Sequence, residues 1–221
     1  MRFGWVLACL FAAASTASAQ SAYVGATLFG DVVRVSGTSI DSDSGGGETY
    51  GGALRAGMPL GEHWGVELEF ARSGTLETTP NIIYAQTTIS FPVGDPAIFP
   101  IPQFEAERQL TTISTLGWFN REVNDRVSLV FLGGVAFTRS SGEFRISYPG
   151  IRPLPPTGGP ILIPSPREIV QRTTTYDADV AVGFEGRIGM TEHVRLVPGI
   201  RLQTIAGGWA IRPGVGLQWT F

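Results

Sequence analysis

The last fourteen residues, Gly208 to Phe221, constrain this chain more than any other stretch. From Trp209 the odd positions read Trp209, Ile211, Pro213, Val215, Leu217, Trp219 and Phe221, and the even ones Ala210, Arg212, Gly214, Gly216, Gln218 and Thr220. A period of two held this long is a β-strand with one apolar face and one small or polar face. About ten such residues, tilted, cross the hydrocarbon core of a bilayer. Aromatics at both ends of the apolar face, Trp209 against Trp219 and Phe221, match the two interfacial girdles of a membrane barrel.

The N-terminus points to the same compartment. Arg2, an apolar run from Phe3 to Ala14 and then Ala17-Ser18-Ala19 form a basic, a hydrophobic and a small-x-small region. This is a secretory signal peptide over residues 1–19, cut after Ala19, with residues 20–221 as one domain. Cys9, the only cysteine, lies inside it; Leu7 stands where a lipoprotein signal needs a small residue, so lipidation is not expected. The mature chain then has no thiol for a disulfide or a metal. Removing Arg2 leaves 15 Arg against 19 acidic residues, a formal charge of −4, which argues against nucleic-acid binding. All basic residues are Arg, whose planar fork suits several carboxylates at once.

Seven further strands precede the terminal one. Tyr23–Asp31 places Val24, Ala26 and Leu28 on one face and Tyr23, Gly25, Thr27 and Asp31 on the other. After a polar, Gly-rich loop from Ser36 to Glu48, about Tyr50–Leu60 sets Leu54, Ala56 and Met58 against Arg55. In Trp64–Phe70, Trp64, Val66, Leu68 and Phe70 alternate with Glu67 and Glu69. Arg108–Phe119 follows, where Leu110, Leu116 and Trp118 are expected to face lipid, and then Val127–Arg139, apolar on both faces. About Thr174–Ile188 sets Val180, Val182, Phe184 and Ile188 against Asp177, Asp179, Glu185 and Arg187. His193–Thr204 sets Val194, Leu196, Ile200 and Leu202 against Arg195, Arg201 and Gln203. Pro198 and Pro213 sit inside strands, which calls for local bulges or an unpaired edge.

Short and long connections alternate, as in an outer-membrane barrel. The short turns carry Glu62-His63-Trp64, Asp125-Arg126-Val127 and Glu192-His193-Val194, recurring every 63 to 67 residues, so both histidines read as turn residues and the acids as turn chemistry. Twelve of the 15 prolines fall between Pro80 and Pro102 or between Pro149 and Pro166. Proline cannot donate to a strand ladder, so these windows are two stiff, partly apolar loops on the extracellular side.

The terminal strand resembles that of bacterial outer-membrane β-barrels, which ends in Phe with hydrophobic residues at alternating positions before it. Val215, Leu217, Trp219 and Phe221 match that pattern. The resemblance to small OmpA/OmpX-like, porin-family barrels covers nearly the whole mature chain. It implies an all-β, eight-stranded, antiparallel up-and-down transmembrane barrel in the outer membrane of a Gram-negative cell. It also implies that those four residues are an assembly signal for the barrel-assembly machinery, and that the barrel lies among outer-membrane lipid and lipopolysaccharide.

The inward faces collect Arg55, Glu67, Glu69, Glu185, Arg187, Arg195, Arg201 and Arg212. Eight strands leave an interior just wide enough for side chains, and charges there must pair. A salt-bridge network that plugs the lumen is therefore expected, against a gated ion path or acid–base work by Glu67 and Glu69. No catalytic, cofactor-binding or metal-ligating set is assigned: neither histidine is closely followed by Ser, Gly-x-Ser-x-Gly is absent, and a phosphate loop needs a Lys. No cofactor is expected. The function read from the sequence is a non-enzymatic barrel that anchors surface loops for contact or adhesion with an unidentified surface partner. The alternatives are a narrow porin-like pore and, behind it, a lipid-modifying enzyme.

Overall fold

A computed structural model describes residues 22–35, 46–78, 103–148, 167–205 and 208–221. The expected signal peptide, residues 36–45 of the Gly-rich loop, both proline-rich windows and Ala206-Gly207 lie outside the described residues. The rest is antiparallel sheet: β1 (Tyr23–Val35), β2 (Gly46–Pro59), β3 (Trp64–Ser73), β4 (Leu76–Thr78), β5 (Gln103–Asn124), β6 (Val127–Tyr148), β7 (Arg167–Gly189), β8 (Val194–Ile205) and β9 (Gly208–Thr220). Among the described residues no helix is long and apolar enough to cross a membrane.

The sheet closes on itself. Each strand pairs with its sequence neighbours except that β3 and β4 both pair with β5, and β1 pairs with β9 to complete the ring. β3 and β4 are two pieces of one stave, so the nine segments make eight. Trp64↔Phe119 and Leu76↔Arg108 differ by one residue in register, which places a bulge at Gly74-Thr75. Ser73 covers the break: its hydroxyl accepts from Leu110 N at 3.0 Å and donates to Leu110 O at 3.2 Å.

Pro198 and Pro213 need neither a bulge nor a free edge. Pro198 pairs with Val215 on β9, and the β7–β8 ladder pauses beside it between Glu185↔Gly199 and Ile188↔Leu196. Pro213 pairs with Ile200 on β8, and the β1–β9 ladder pauses between Phe29↔Gly214 and Val32↔Ile211. Each proline breaks the ladder on one side, where no N–H is available to donate, and the register resumes unshifted.

The outer face is a band of apolar side chains, including Leu28, Leu54, Val66, Leu68, Phe70, Ile113, Phe131, Val180, Val182, Ile200 and Leu202, all exposed. Trp64, Trp219 and Phe221 rim its short-turn end, and Tyr50, Tyr176 and Trp209 rim the other. One expectation is corrected here. Leu110, Leu116 and Trp118 are 0%, 1% and 5% exposed and point into the barrel. Register explains it: Leu116 stands opposite Glu67 and Ser114 opposite Glu69, and directly opposed residues share a face. Once the two glutamates face inward, Ile113, Thr115 and Gly117 are left to face lipid.

The short turns also differ from expectation in their chemistry. In two of the three turns the side-chain acceptor is not the acid but a neighbour. Asn124 Oδ1 accepts from the N–H groups of Arg126 and Val127, both at 2.9 Å. Thr191 Oγ1 accepts from His193 and Val194 at 3.3 and 3.0 Å. Both histidines sit at matching places, His63 edge-on to Phe119 and His193 stacked on Trp219.

Three strands are much longer than the sequence pattern suggests. β5, β6 and β7 have 22, 22 and 23 residues, whereas β1, β2, β3, β8 and β9 have 10 to 14. A tilted span needs only about 9–11. The surplus rises at the end away from the short turns, as a wall of three strands with β4 against its base.

Candidate functional site

Buried side chains fill the lumen in successive layers. Near the short turns, the Tyr23 ring and Trp118 flank Arg187, whose guanidinium carbon lies 4.9 Å and 5.1 Å from the two ring centroids. Two glycines make room for those rings. A Cβ on Gly57 would overlap Tyr23, and one on Gly65 would overlap Trp118. The Tyr23 hydroxyl donates to Glu67 Oε2 at 2.6 Å and accepts from Arg187 Nη2 at 3.1 Å, tying this layer to the next.

Arg201 on β8 is the keystone of the middle layer. Its Nη2 contacts Glu67 Oε1 at 2.6 Å and Glu185 Oε1 at 2.9 Å. Its Nη1 lies 2.5 Å from Glu69 Oε2, an ion pair without hydrogen-bond alignment. Arg55 Nη1 reaches the same Glu185 oxygen at 2.5 Å. Residues from β2, β3, β7 and β8 thus meet in one cluster. Residues two apart on a strand share a face, which is how Glu67 and Glu69 both reach one guanidinium.

A third layer follows toward the wall. Arg212 contacts Asp31 Oδ2 at 3.3 Å, donates to Gln203 Oε1 at 2.9 Å and lies over Phe29 at 5.4 Å. Gln203 Nε2 donates to Thr138 Oγ1 at 2.5 Å and lies 3.4 Å from Asp179 Oδ2. Above it, Val33, Leu76, Leu110, Ile205 and Ala210 form an apolar cluster. The cavity among Thr27, Glu69, Glu185, Arg201 and Arg212 is about 20 Å³, room for one water molecule.

Of the eight residues assigned to the lumen network, six join it through ion pairs: Arg55, Glu67, Glu69, Glu185, Arg201 and Arg212. Arg187 joins through Tyr23 and the two rings rather than through a carboxylate within ion-pair distance. Arg195 does not join: it is inward but only half-buried at the rim, and pairs with no carboxylate within 4 Å among the described residues. The network also recruits Tyr23, Asp31, Gln203 and Asp179, whose inward parity was legible but whose partners lie on strands distant in sequence. Thr112, whose hydroxyl accepts from Arg212 Nη2 at 3.5 Å, and Thr138 carry no such signal, since a threonine suits either face.

Val215, Leu217 and Trp219 stand exposed on the outer face of β9, and Phe221 is exposed just past its end. Among the described residues no group of three or more His, Cys, Asp or Glu is arranged to hold a metal. The wall carries a second, solvent-exposed ladder. Arg145 contacts Glu143 at 3.0 Å and Glu168 at 2.9 Å, and Arg172 contacts Glu143 at 2.9 Å. Hydrogen bonds from Arg172 and Arg145 hold the Glu143 carboxyl below the usual carboxylate range, so the ladder stays ionised.

Several solved structures align with this chain. Ail, the attachment invasion locus protein of Yersinia pestis, in complex with the heparin analogue sucrose octasulfate, aligns at TM-score 0.51 and 11% identity, over 91% of this chain and 99% of that one. Neisserial surface protein A aligns at 0.43 and 12%, over 90% and 97%. The N-terminal β-barrel domain of Pseudomonas aeruginosa OprF aligns at 0.44 and 11%, over 92% and 100%. No curated protein matches the sequence. At such identities the likeness speaks to fold alone. The family model for the outer membrane protein beta-barrel domain, however, matches residues 5–221. The chain belongs to the outer-membrane β-barrel family and is a transmembrane barrel of the outer membrane.

Proposed function

We propose that this protein is a non-enzymatic anchor, a barrel closed to traffic that holds a contact surface outside the cell. The observation that carries the reading is Arg201, one guanidinium binding three carboxylates across the middle of the lumen. Taking two charges out of water costs several kcal/mol per ion, regained only when the geometry is good. A chain that keeps such a cluster keeps it for a specified, packed interior. In barrels of this family the short turns face the periplasm and the long connections face outward. The β5–β7 wall then rises from the outer surface, which supports contact as the role of that end. The unidentified partner is a surface that the wall or the proline-rich segments meet.

The test is to replace residues 79–103 and 147–166 with short Gly/Ser turns. Cells displaying the trimmed protein are then scored for retention on immobilised matrix proteins, on heparin beads and on a lawn of the same cells. The trimmed barrel should remain heat-modifiable and in the outer membrane while retention on matrix proteins and on heparin beads is lost. Full retention by a folded, trimmed barrel would overturn the reading.

A further inference from the structure

β7 pairs with β6 along its whole length but with β8 only from Ala181 to Gly189. From Arg167 to Val180 no strand pairs with its other side among the described residues. Val180 shows which backbone groups point that way. Its N–H bonds Thr204 Oγ1 at 3.0 Å, and its C=O accepts from the same hydroxyl at 3.4 Å. Strand residues alternate in the direction of their N–H and C=O groups. Those of Glu168, Val170, Arg172, Thr174, Tyr176 and Ala178 therefore face the open side. Such an edge is a template for another strand. This one contains no Pro or Lys and is rich in β-branched residues, namely Ile169, Val170 and Thr173 to Thr175.

The charges say which strand fits. On one face of the wall Glu143 stands opposite Arg172, and Arg145 reaches Glu168. Lay a second β7 antiparallel along the edge with Val170 opposite its own copy. Glu168 then stands opposite Arg172 of the second copy, and Arg172 opposite its Glu168. Across the seam Glu143 meets Arg172, and Arg172 meets Glu168 of the second copy, which the second copy's Arg145 reaches diagonally from beside Val170. In this register every outward-facing N–H and C=O from Glu168 to Arg172 meets its counterpart. Val170 and Ile169, 43% and 51% exposed, gain neighbours on both faces.

We infer that the free edge of β7, centred on Val170, pairs antiparallel with the same edge of a second copy of this chain. The two-fold axis of such a pair is perpendicular to the sheet. The wall rises out of the membrane, so rotation about that axis turns the second barrel upside down. The second copy then belongs to an opposing membrane, and the contact bridges two outer membranes. This rests on the contact reading above and names its partner.

The test uses full-length protein in liposomes, with two dye-labelled populations mixed and vesicle tethering read by energy transfer. Wild-type vesicles should tether. Glu168→Arg alone and Arg172→Glu alone place like charges at both flanking pairs and should each lower tethering at least about tenfold. Vesicles of Glu168→Arg mixed with vesicles of Arg172→Glu recover both opposite-charge pairs and should tether again. Val170→Pro removes an edge N–H that no β6 group uses, so the barrel should stay heat-modifiable while tethering is lost. Wild-type vesicles that do not tether, single variants that tether normally, or a mixture that stays apart would each overturn the inference. Retention on matrix proteins in the loop-trimming experiment would survive that outcome, so the two readings fail separately.

Discussion

Arg201 holds Glu67, Glu69 and Glu185 together, and removing it leaves three buried carboxylates facing one another. Arg201→Met should therefore destabilise the barrel by about 3–5 kcal/mol, whereas Arg195→Ala, at the wet rim, should cost less than about 1 kcal/mol. Urea unfolding in detergent micelles checks both; equal midpoints would remove Arg201 from its central place. Packing is as exacting as charge. Gly65→Val should cost roughly 1–3 kcal/mol or more, because its side chain would occupy the space of the Trp118 ring. Indole fluorescence should report the displaced ring, and an unchanged spectrum with unchanged stability would contradict the packing. At this scale the sequence was informative about parity and silent about partners. Inward Glu and Arg were legible because an ion is costly on a lipid face. That Arg201 meets β3, while Arg187 meets rings instead of a carboxylate, depends on barrel closure, which no local pattern carries.

Among the elements, those with lipid on one face and packed lumen on the other could be read from alternation, and those in water on both faces could not. The outer ends of β5, β6 and β7 contain runs such as Glu105 to Glu107, Ser141 to Glu143 and Glu168 to Thr173, exposed or half-buried throughout. With solvent on both faces no period of two is imposed there, so the wall's height was missed. β5 misled in its inner half as well, since large apolar residues fill the lumen while Thr115 and Gly117 face lipid. The terminal strand was the most legible element, and its exposed face carries an expectation of its own. Deleting Phe221 should leave the protein periplasmic and protease-sensitive; normal amounts of heat-modifiable barrel in the outer membrane would contradict its role in assembly. The wall should respond to acid in a defined way. Glu143 titrates below the usual range when folded, so its contribution to local order is present above the unfolded value and is lost as pH falls through the lowered one. Amide exchange in β6 and β7 around Glu143 should stay protected near the ordinary glutamate range and loosen only in stronger acid. Loosening already at mildly acidic pH would show that the ladder does not order the wall.

For the whole molecule, eight staves close a ring whose interior is occupied in three tiers: rings and Arg187, the Arg201 cluster, then Arg212 with Gln203 under an apolar cap. Four arginines, Arg55, Arg187, Arg201 and Arg212, share the buried interior with Asp31, Glu67, Glu69, Asp179 and Glu185. Nearly balanced charge lets so many ions share a narrow lumen. The same filling separates an anchor from a pore, because an ion would have to part Arg201 from its carboxylates to pass. On the proposed reading the contact surface belongs to the wall and the outer connections, and the barrel serves to hold them at the membrane. Planar-bilayer recording on the purified, folded protein tests this most directly. The sealed lumen predicts at most small, irregular current steps at neutral pH, and stable, reproducible channels of uniform size would contradict it.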